Sequence, residues 1–293
     1  MRNASVTSVL TLLLSAWLLG AGVAGSSGSS GSVGSSGSVR SEPRGAPPQE
    51  RTPRASFALD CGSVQSTLRV RLCTAMPGGA VRLRVEDQSE ASGSSRRPVR
   101  YELRDETGRL EDPVRMGARR WRLRAPSEPG LYPMTLHRRA GSEIVDSIRV
   151  QLAVLVPFSE VRNGYLEGYR IGRYPEEAPE LEVASDRSGE AAREPVDASA
   201  LYERPDGFVR ISPETRTVHV SPRFRLGQFL CKQESGFPKF LVLQPELLIR
   251  LEQILDALAA RGVGASTLHV MSGYRTPYYN ASIGNVPYSR HLW

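Results

Sequence analysis

Two stretches of this chain alternate apolar residues with arginine at period two: Thr67-Leu68-Arg69-Val70-Arg71-Leu72 and Ala80-Val81-Arg82-Leu83-Arg84-Val85. Successive side chains of a β-strand point to opposite faces, so this spacing fits half-buried strands and no helix. Runs of the same kind recur at 120–124, 132–136 and 148–154. Turn residues separate them, at Pro77-Gly78-Gly79, Ser92-Gly93 and Pro129-Gly130. Residues 56–156 are therefore expected to form an all-β, antiparallel sandwich of immunoglobulin-like type, with one face as core and the other carrying the arginines.

That face makes charge worth counting. Residues 51–156 hold 19 arginines against 12 acids, a net charge of +7. Two readings stay open: an anionic cell-wall polymer leaning on the sandwich, or a solvated outer face that needs polar residues of some kind. Lys232 and Lys239 are the only lysines, so the cationic charge of the whole chain is almost entirely arginine.

The N-terminus reads as an export signal. A short cationic start, Met1-Arg2-Asn3, precedes an apolar run that ends in Gly22-Val23-Ala24. Residues 1–24 fit a signal peptide cleaved after Ala24, the alternative being a retained anchor. The expected location is secreted or periplasmic, in the cell envelope, with no stable membrane anchor and no nucleic-acid partner. Residues 25–55 are a Gly/Ser/Pro tether. An oxidising compartment suits a disulfide between Cys61 and Cys73, which close a short loop. Cys231 is then left over and reads as a small buried apolar residue.

Residues 157–205 invert the charge, with 6 arginines against 11 acids, a net −5. They read as an acidic connector whose aromatic part, around Asn163-Gly164-Tyr165 and Gly168-Tyr169-Arg170, docks and whose acidic part moves. A substrate-contacting role for its tyrosines is the alternative.

A second folded unit is expected from residue 206. Gln244 to Gly262 predicts a helix, with Pro245 at its first position. Leu247, Leu248, Leu251, Ile254, Leu255 and Leu258 fall on one face, and Gly262 is the stop. Residues 267–271 read as a buried strand. Among the four histidines, His137, His219 and His269 sit in strand-like alternation; the first two read as surface or half-buried and His269 as a satisfied core histidine.

The loop after that strand carries the chemistry. Ser272-Gly273-Tyr274-Arg275-Thr276-Pro277, then Tyr279-Asn280, then Ser289-Arg290-His291 resembles the zinc D-alanyl-D-alanine carboxypeptidase family, the peptidoglycan peptidases of the hedgehog/DD-peptidase fold. Residues 206–293 would then be the N-terminal part of such an α+β domain, C-terminally truncated, in a multidomain chain. The resemblance implies His291 as first zinc ligand, Arg275 as the group that binds the substrate carbonyl and holds its developing oxyanion, and Ser289 as a substrate-side residue setting the loop. It implies zinc as cofactor, a peptidoglycan peptide as substrate and hydrolysis of D-amino-acid peptide bonds. The family's Asp ligand, later histidine and general base lie beyond the pattern found here, so the chain is expected to be an inactive fragment of a longer gene. A non-catalytic wall-binding module that keeps the fold is the alternative.

Overall fold

The computed structural model describes residues 52–62, 64–87, 98–110, 113–177 and 202–293. The expected signal peptide, most of the tether and the acidic run of the connector lie outside the described residues. Residues 46–293 form one compact unit. Among the described residues no helix is long and apolar enough to cross a membrane.

The chain is β-rich. Nine strands come first: β1 (Arg54–Asp60), β2 (Ser66–Leu68), β3 (Val70–Ala75), β4 (Ala80–Glu86), β5 (Val99–Asp105), β6 (Val114–Gly117), β7 (Arg120–Arg124), β8 (Gly130–Ala140) and β9 (Glu143–Val154). They build two sheets, ordered β2-β1-β4-β7-β6 and β3-β9-β8-β5. The alternation works as expected in β4 and β7, where Val81, Leu83, Val85, Trp121 and Leu123 are buried and the arginines between them are exposed. Both sheets contribute to one core, with Phe57, Leu59 and Trp121 on one side and Met134, Leu136, Ile148 and Val150 on the other. Burying each such side chain contributes about 1.5–3 kcal/mol.

Two details depart from a simple antiparallel sandwich. The run 67–72 is not one strand: it bends at Arg69, so β2 pairs with β1 in one sheet and β3 joins the other. There β3 runs parallel to β9, from Val70 opposite Arg149 to Ala75 opposite Val154. The crossing turns Arg71 inward. It is buried, and its guanidinium donates to the carbonyl oxygens of Leu59 and Val64. Burial lowers its pKa to about 10, so it remains charged at neutral pH. Cys61, just after β1, is disulfide-bonded to Cys73 in β3.

The rest is a mixed lobe: β10 (Val156–Pro157), β11 (Tyr165–Leu166), β12 (Tyr169–Arg170), β13 (Gly207–Ile211), β14 (Lys239–Leu241), α1 (Pro245–Ala260) and α2 (Pro277–Ser282). The three-stranded sheet β10-β13-β14 starts where β9 ends, so the lobe grows directly from the sandwich. Leu72 and Ala153 of the sandwich share a buried cluster with Phe208, Phe224, Phe229, Phe240 and Leu255. The connector's aromatic part belongs to that cluster through Leu166, Tyr169, Ile171 and Tyr174. Its tight hairpin β11–β12 turns at Glu167 and Gly168, with φ of 46° and 83°. Positive φ at both central residues is what a type I′ hairpin turn requires.

Helix α1 starts with Pro245 in its first turn and is followed by Gly262 at φ 76°, as its sequence signals predict. Its buried face differs from the expected apolar stripe. Leu248, Glu252 and Leu255 are buried, whereas Leu247 and Ile254 are 41% and 45% exposed. The expected strand at 267–271 has no strand partner among the described residues. Leu268 and Val270 rest on the core, but Thr267, His269 and Met271 face solvent. Period-two alternation specifies sidedness, and a strand also needs a neighbouring edge to pair with.

Glu252 is wholly buried, and its partners explain why it is tolerated. One carboxylate oxygen accepts from Ser221 Oγ at 2.7 Å and from the Arg223 amide at 2.8 Å. The other accepts from Thr52 Oγ1 at 3.3 Å and lies 3.9 Å from Arg223 Nε. One turn on, Asp256 accepts from the Thr52 amide at 3.0 Å and pairs with Arg54 Nη2 at 2.6 Å. Two acids on one helix thus tie the first strand of the sandwich to the lobe. Replacing Glu252 by alanine leaves Asp256, 3.4 Å from Arg223 Nη2, to hold that guanidinium and strips the acceptor from Ser221 Oγ and the Arg223 amide, and we expect a loss of about 1–3 kcal/mol in urea unfolding. Burial raises the pKa of Asp256, but hydrogen bonds from Thr52 and Arg54 more than offset this and hold it below the ordinary carboxylate value. Its contribution is full above the unfolded pKa and is lost as pH falls through the folded one. Asp256→Asn should therefore flatten the fall in melting temperature measured below about pH 4.

Candidate functional site

The Ser272–Pro277 loop is fixed by close backbone approach. A Cβ on Gly273 would lie 2.5 Å from the Phe229 carbonyl oxygen and 2.7 Å from its Cα, so no larger residue fits without moving backbone. At that contact the Tyr274 amide donates to Phe229 O at 3.1 Å. The next amide, of Arg275, donates to the His291 carbonyl at 2.7 Å. This bond brings together two residues sixteen apart in sequence. Thr276 then caps α2, its Oγ1 accepting from the Tyr279 amide at 3.0 Å while donating to Gln233 Oε1 at 2.7 Å. An N-cap threonine of this kind is worth about 1 kcal/mol.

His291 is held from both sides. Its Nδ1 lies 2.9 Å from Gly273 O. A carbonyl can only accept, so Nδ1 carries the proton and Nε2 keeps its lone pair in the neutral ring. Burial and the nearby Arg275 guanidinium lower the His291 pKa, against the opposing effect of the Gly273 contact, so the neutral form prevails at pH 7. Arg275 Nε donates to Ser272 Oγ at 2.8 Å. Ser289 is buried, and its Oγ accepts the His291 amide at 3.4 Å. Its place is beneath the loop. The following residue, Leu292, is buried, and its carbonyl accepts from Tyr174 OH at 3.2 Å.

The connector completes the frame. The Tyr278 amide donates to Ile171 O at 2.9 Å, and a Cβ on Gly172, at φ 90°, would meet Tyr278 N at 2.5 Å. Arg170 lies 3.9 Å over the Tyr278 ring and 6.0 Å from that of Tyr165. Of the connector's four tyrosines, Tyr169 and Tyr174 are buried and Tyr202 is half-buried, which leaves Tyr165, 45% exposed, as the one that solvent reaches freely. Asn280 is buried and donates to Val286 O at 2.8 Å, closing the 280–286 turn that returns the chain toward His291.

The sequence-predicted residues Arg275, Ser289 and His291 are therefore neighbours. Tyr174 and Gln233 support them through hydrogen bonds to partners distant in sequence, Tyr174 to Leu292 O and Tyr274 OH and Gln233 to Thr276 Oγ1 and Arg170 O, which no local pattern signals. Among the described residues no three His, Cys, Asp or Glu side chains converge. His219 Nε2 accepts from Arg225, and His269 is exposed. An open catalytic zinc site takes three protein ligands, so the residues present do not make one. What they do make is a neutral imidazole and a guanidinium on one rigid loop. Gly273→Ala should separate them: we expect about 2–4 kcal/mol of destabilisation and loss of the Nδ1 hydrogen bond, read as a changed His291 imidazole signal in NMR.

No family model and no curated protein matches the chain. Solved structures with a local likeness include a nucleoside hydrolase-related hypothetical protein from Saccharophagus degradans associated with carbohydrate metabolism, at 16% identity and a TM-score of 0.25, over 35% of this chain and 26% of that one. A DUF4784 family protein from Bacteroides caccae is 14% identical with a TM-score of 0.18, over 34% of this chain and 24% of that one. An endo-beta-1,4-mannanase from Thermotoga petrophila is 14% identical with a TM-score of 0.19, over 36% of this chain and 21% of that one. The chain thus spans about a quarter of the length of these structures, and likeness at this level carries no argument about fold or function.

Proposed function

We propose that this chain presents the substrate-arginine loop and one imidazole of an exported peptidase that cuts D-amino-acid bonds of peptidoglycan. In this reading the lobe is of hedgehog/DD-peptidase type, and the preceding sheets are an immunoglobulin-like module that positions it. The observation that carries the reading is the pairing of Arg275 and His291 through the 2.7 Å backbone bond and the 2.9 Å Nδ1 contact. A histidine whose Nδ1–H is fixed on a backbone carbonyl has the tautomer of a metal-ligating residue. Arg275 is held at Nε by Ser272, which leaves its terminal nitrogens to meet a substrate carbonyl as charge develops on its oxygen. Ser289 sets the loop from below. Of the residues described here His291 is the one that would hold zinc, which would supply a polarising centre and an activated water.

A second reading, a non-catalytic wall-binding module, is favoured by one observation: the absence of a three-ligand cluster among the described residues. The two separate in one assay. The intact gene product, incubated with a muropeptide ending in D-alanyl-D-alanine, should release amino acid in a manner abolished by a chelator and restored by zinc. Arg275→Ala should lower kcat/KM by about 10²–10³, the loss seen when one oxyanion-holding donor is removed. Release that ignores the chelator, or an Arg275→Ala variant as active as the parent, overturns the peptidase reading. Muropeptide binding with no release supports the module.

A further inference from the structure

The outer face of β4 and β7 has a charge arrangement that the fold does not neutralise. Arg82 of β4 stands directly opposite Arg122 of β7, and Arg84 opposite Arg120, with Arg124 opposite Ala80. All five arginines are exposed. Like charges directly opposed across an antiparallel pair repel, and a sheet built for stability alone would set acids between them. The other sheet has one such opposed pair, Arg100 and Arg139, but there Glu102 lies 3.1 Å from Arg139, and Arg138, Arg149 and Arg69 also have acids, in Asp87, Glu106 and Asp146. On the β4–β7 face, among the described residues, two acids are near. Glu86 sits 3.4 Å from Arg84 in an exposed pair, and Asp60 of β1 lies opposite Arg84. Arg82, Arg120, Arg122 and Arg124 have no acidic partner among the described residues.

We propose that this face binds a flexible, linear phosphodiester polymer of the polyol-phosphate type. Strand geometry sets the guanidiniums on a grid about 4.8 Å across the strands and about 7 Å along them. Opposed pairs such as Arg82 and Arg122 can each direct a donor fork at one phosphodiester, whose two free oxygens splay tetrahedrally and so accept from both sides. A planar carboxylate is filled by one fork. A flat two-strand array follows a single pliable chain, whereas a rigid duplex would touch it at one ridge. The Cys61–Cys73 disulfide fits an oxidising compartment, where envelope polymers and not nucleic acids are the abundant polyanions. This binding is independent of the peptidase reading, since it uses no residue of the Arg275–His291 loop.

The test is titration of the full chain with poly(glycerol phosphate) across a salt series. Release of counterions from three contacted phosphates, one at each opposed pair and one at Arg124, predicts a slope of log affinity against log salt of about −2. Arg82→Gln/Arg122→Gln, which removes one phosphate contact, should bind roughly tenfold more weakly and lower that slope by about 0.7. The same double variant should melt, without polymer, no lower than the parent, because repulsion has been removed. Arg139→Gln, on the paired sheet, should bind as the parent does. Absent salt-dependent binding, a double variant with parental affinity, or a double variant that melts lower would overturn the proposal. So would tighter binding to duplex DNA or to polygalacturonate of equal charge.

Discussion

A carboxylate with no exposed surface must find its partners inside the fold, and Glu252 finds them on two segments distant in sequence. Ser221 and Arg223 come from the loop after β13, and Thr52 from the residues that lead into β1. Leaving that charge unpaired would cost several kilocalories per mole, so the arrangement is close to all-or-none. Asp256 repeats the device at the edge of the same contact, with Arg54 and Thr52. Helix α1 is thereby fixed against both the sandwich and the lobe, and Leu248 and Leu255 beside it enter the core that the two share. The sandwich and lobe consequently belong to one compact unit.

That core positions the candidate site through backbone. Phe229, buried within it, offers its carbonyl to Tyr274 and crowds Gly273 so closely that only glycine fits. From there two hydrogen bonds set His291 against Arg275, and the connector's Ile171 and Gly172 lock the start of α2. Backbone bonds to buried segments make the pair rigid, the condition under which a cation can hold developing charge without first reorganising. The buried tyrosine pair Tyr174 and Tyr274, whose hydroxyls lie 3.0 Å apart, braces the same corner.

The two faces of the sandwich make opposite choices. On one sheet each of four arginines has a carboxylate, and Arg138 with Asp87 is nearly withdrawn from solvent. On the other, two arginine pairs oppose each other with a single exposed ion pair beside them, whereas the one opposed pair of the first sheet, Arg100 and Arg139, has Glu102 on Arg139. Both patterns obey the same alternation in sequence, and strand pairing alone makes them differ. Selection for stability accounts for the first pattern, and the second keeps its repulsion in hand for an external anion.

The sequence by itself determined the sidedness of the strands, the span of α1 and the identity of the loop residues, because period, caps and turn residues are local properties. Val81, Leu83, Trp121 and Leu123 are inward for the reason their spacing implies, and Pro245 and Gly262 bound the helix. Tertiary structure alone decided which strands pair, that β3 crosses sheets at Arg69 to lie parallel to β9, and that Arg71 turns inward to donate to Leu59. It also decided that Glu252 replaces Leu247 and Ile254 on the buried face, and that 267–271 remains unpaired. Each of these depends on a partner distant in sequence. A local pattern encodes which way a side chain points, but the cost of burying a charge or an amide is set by what meets it there.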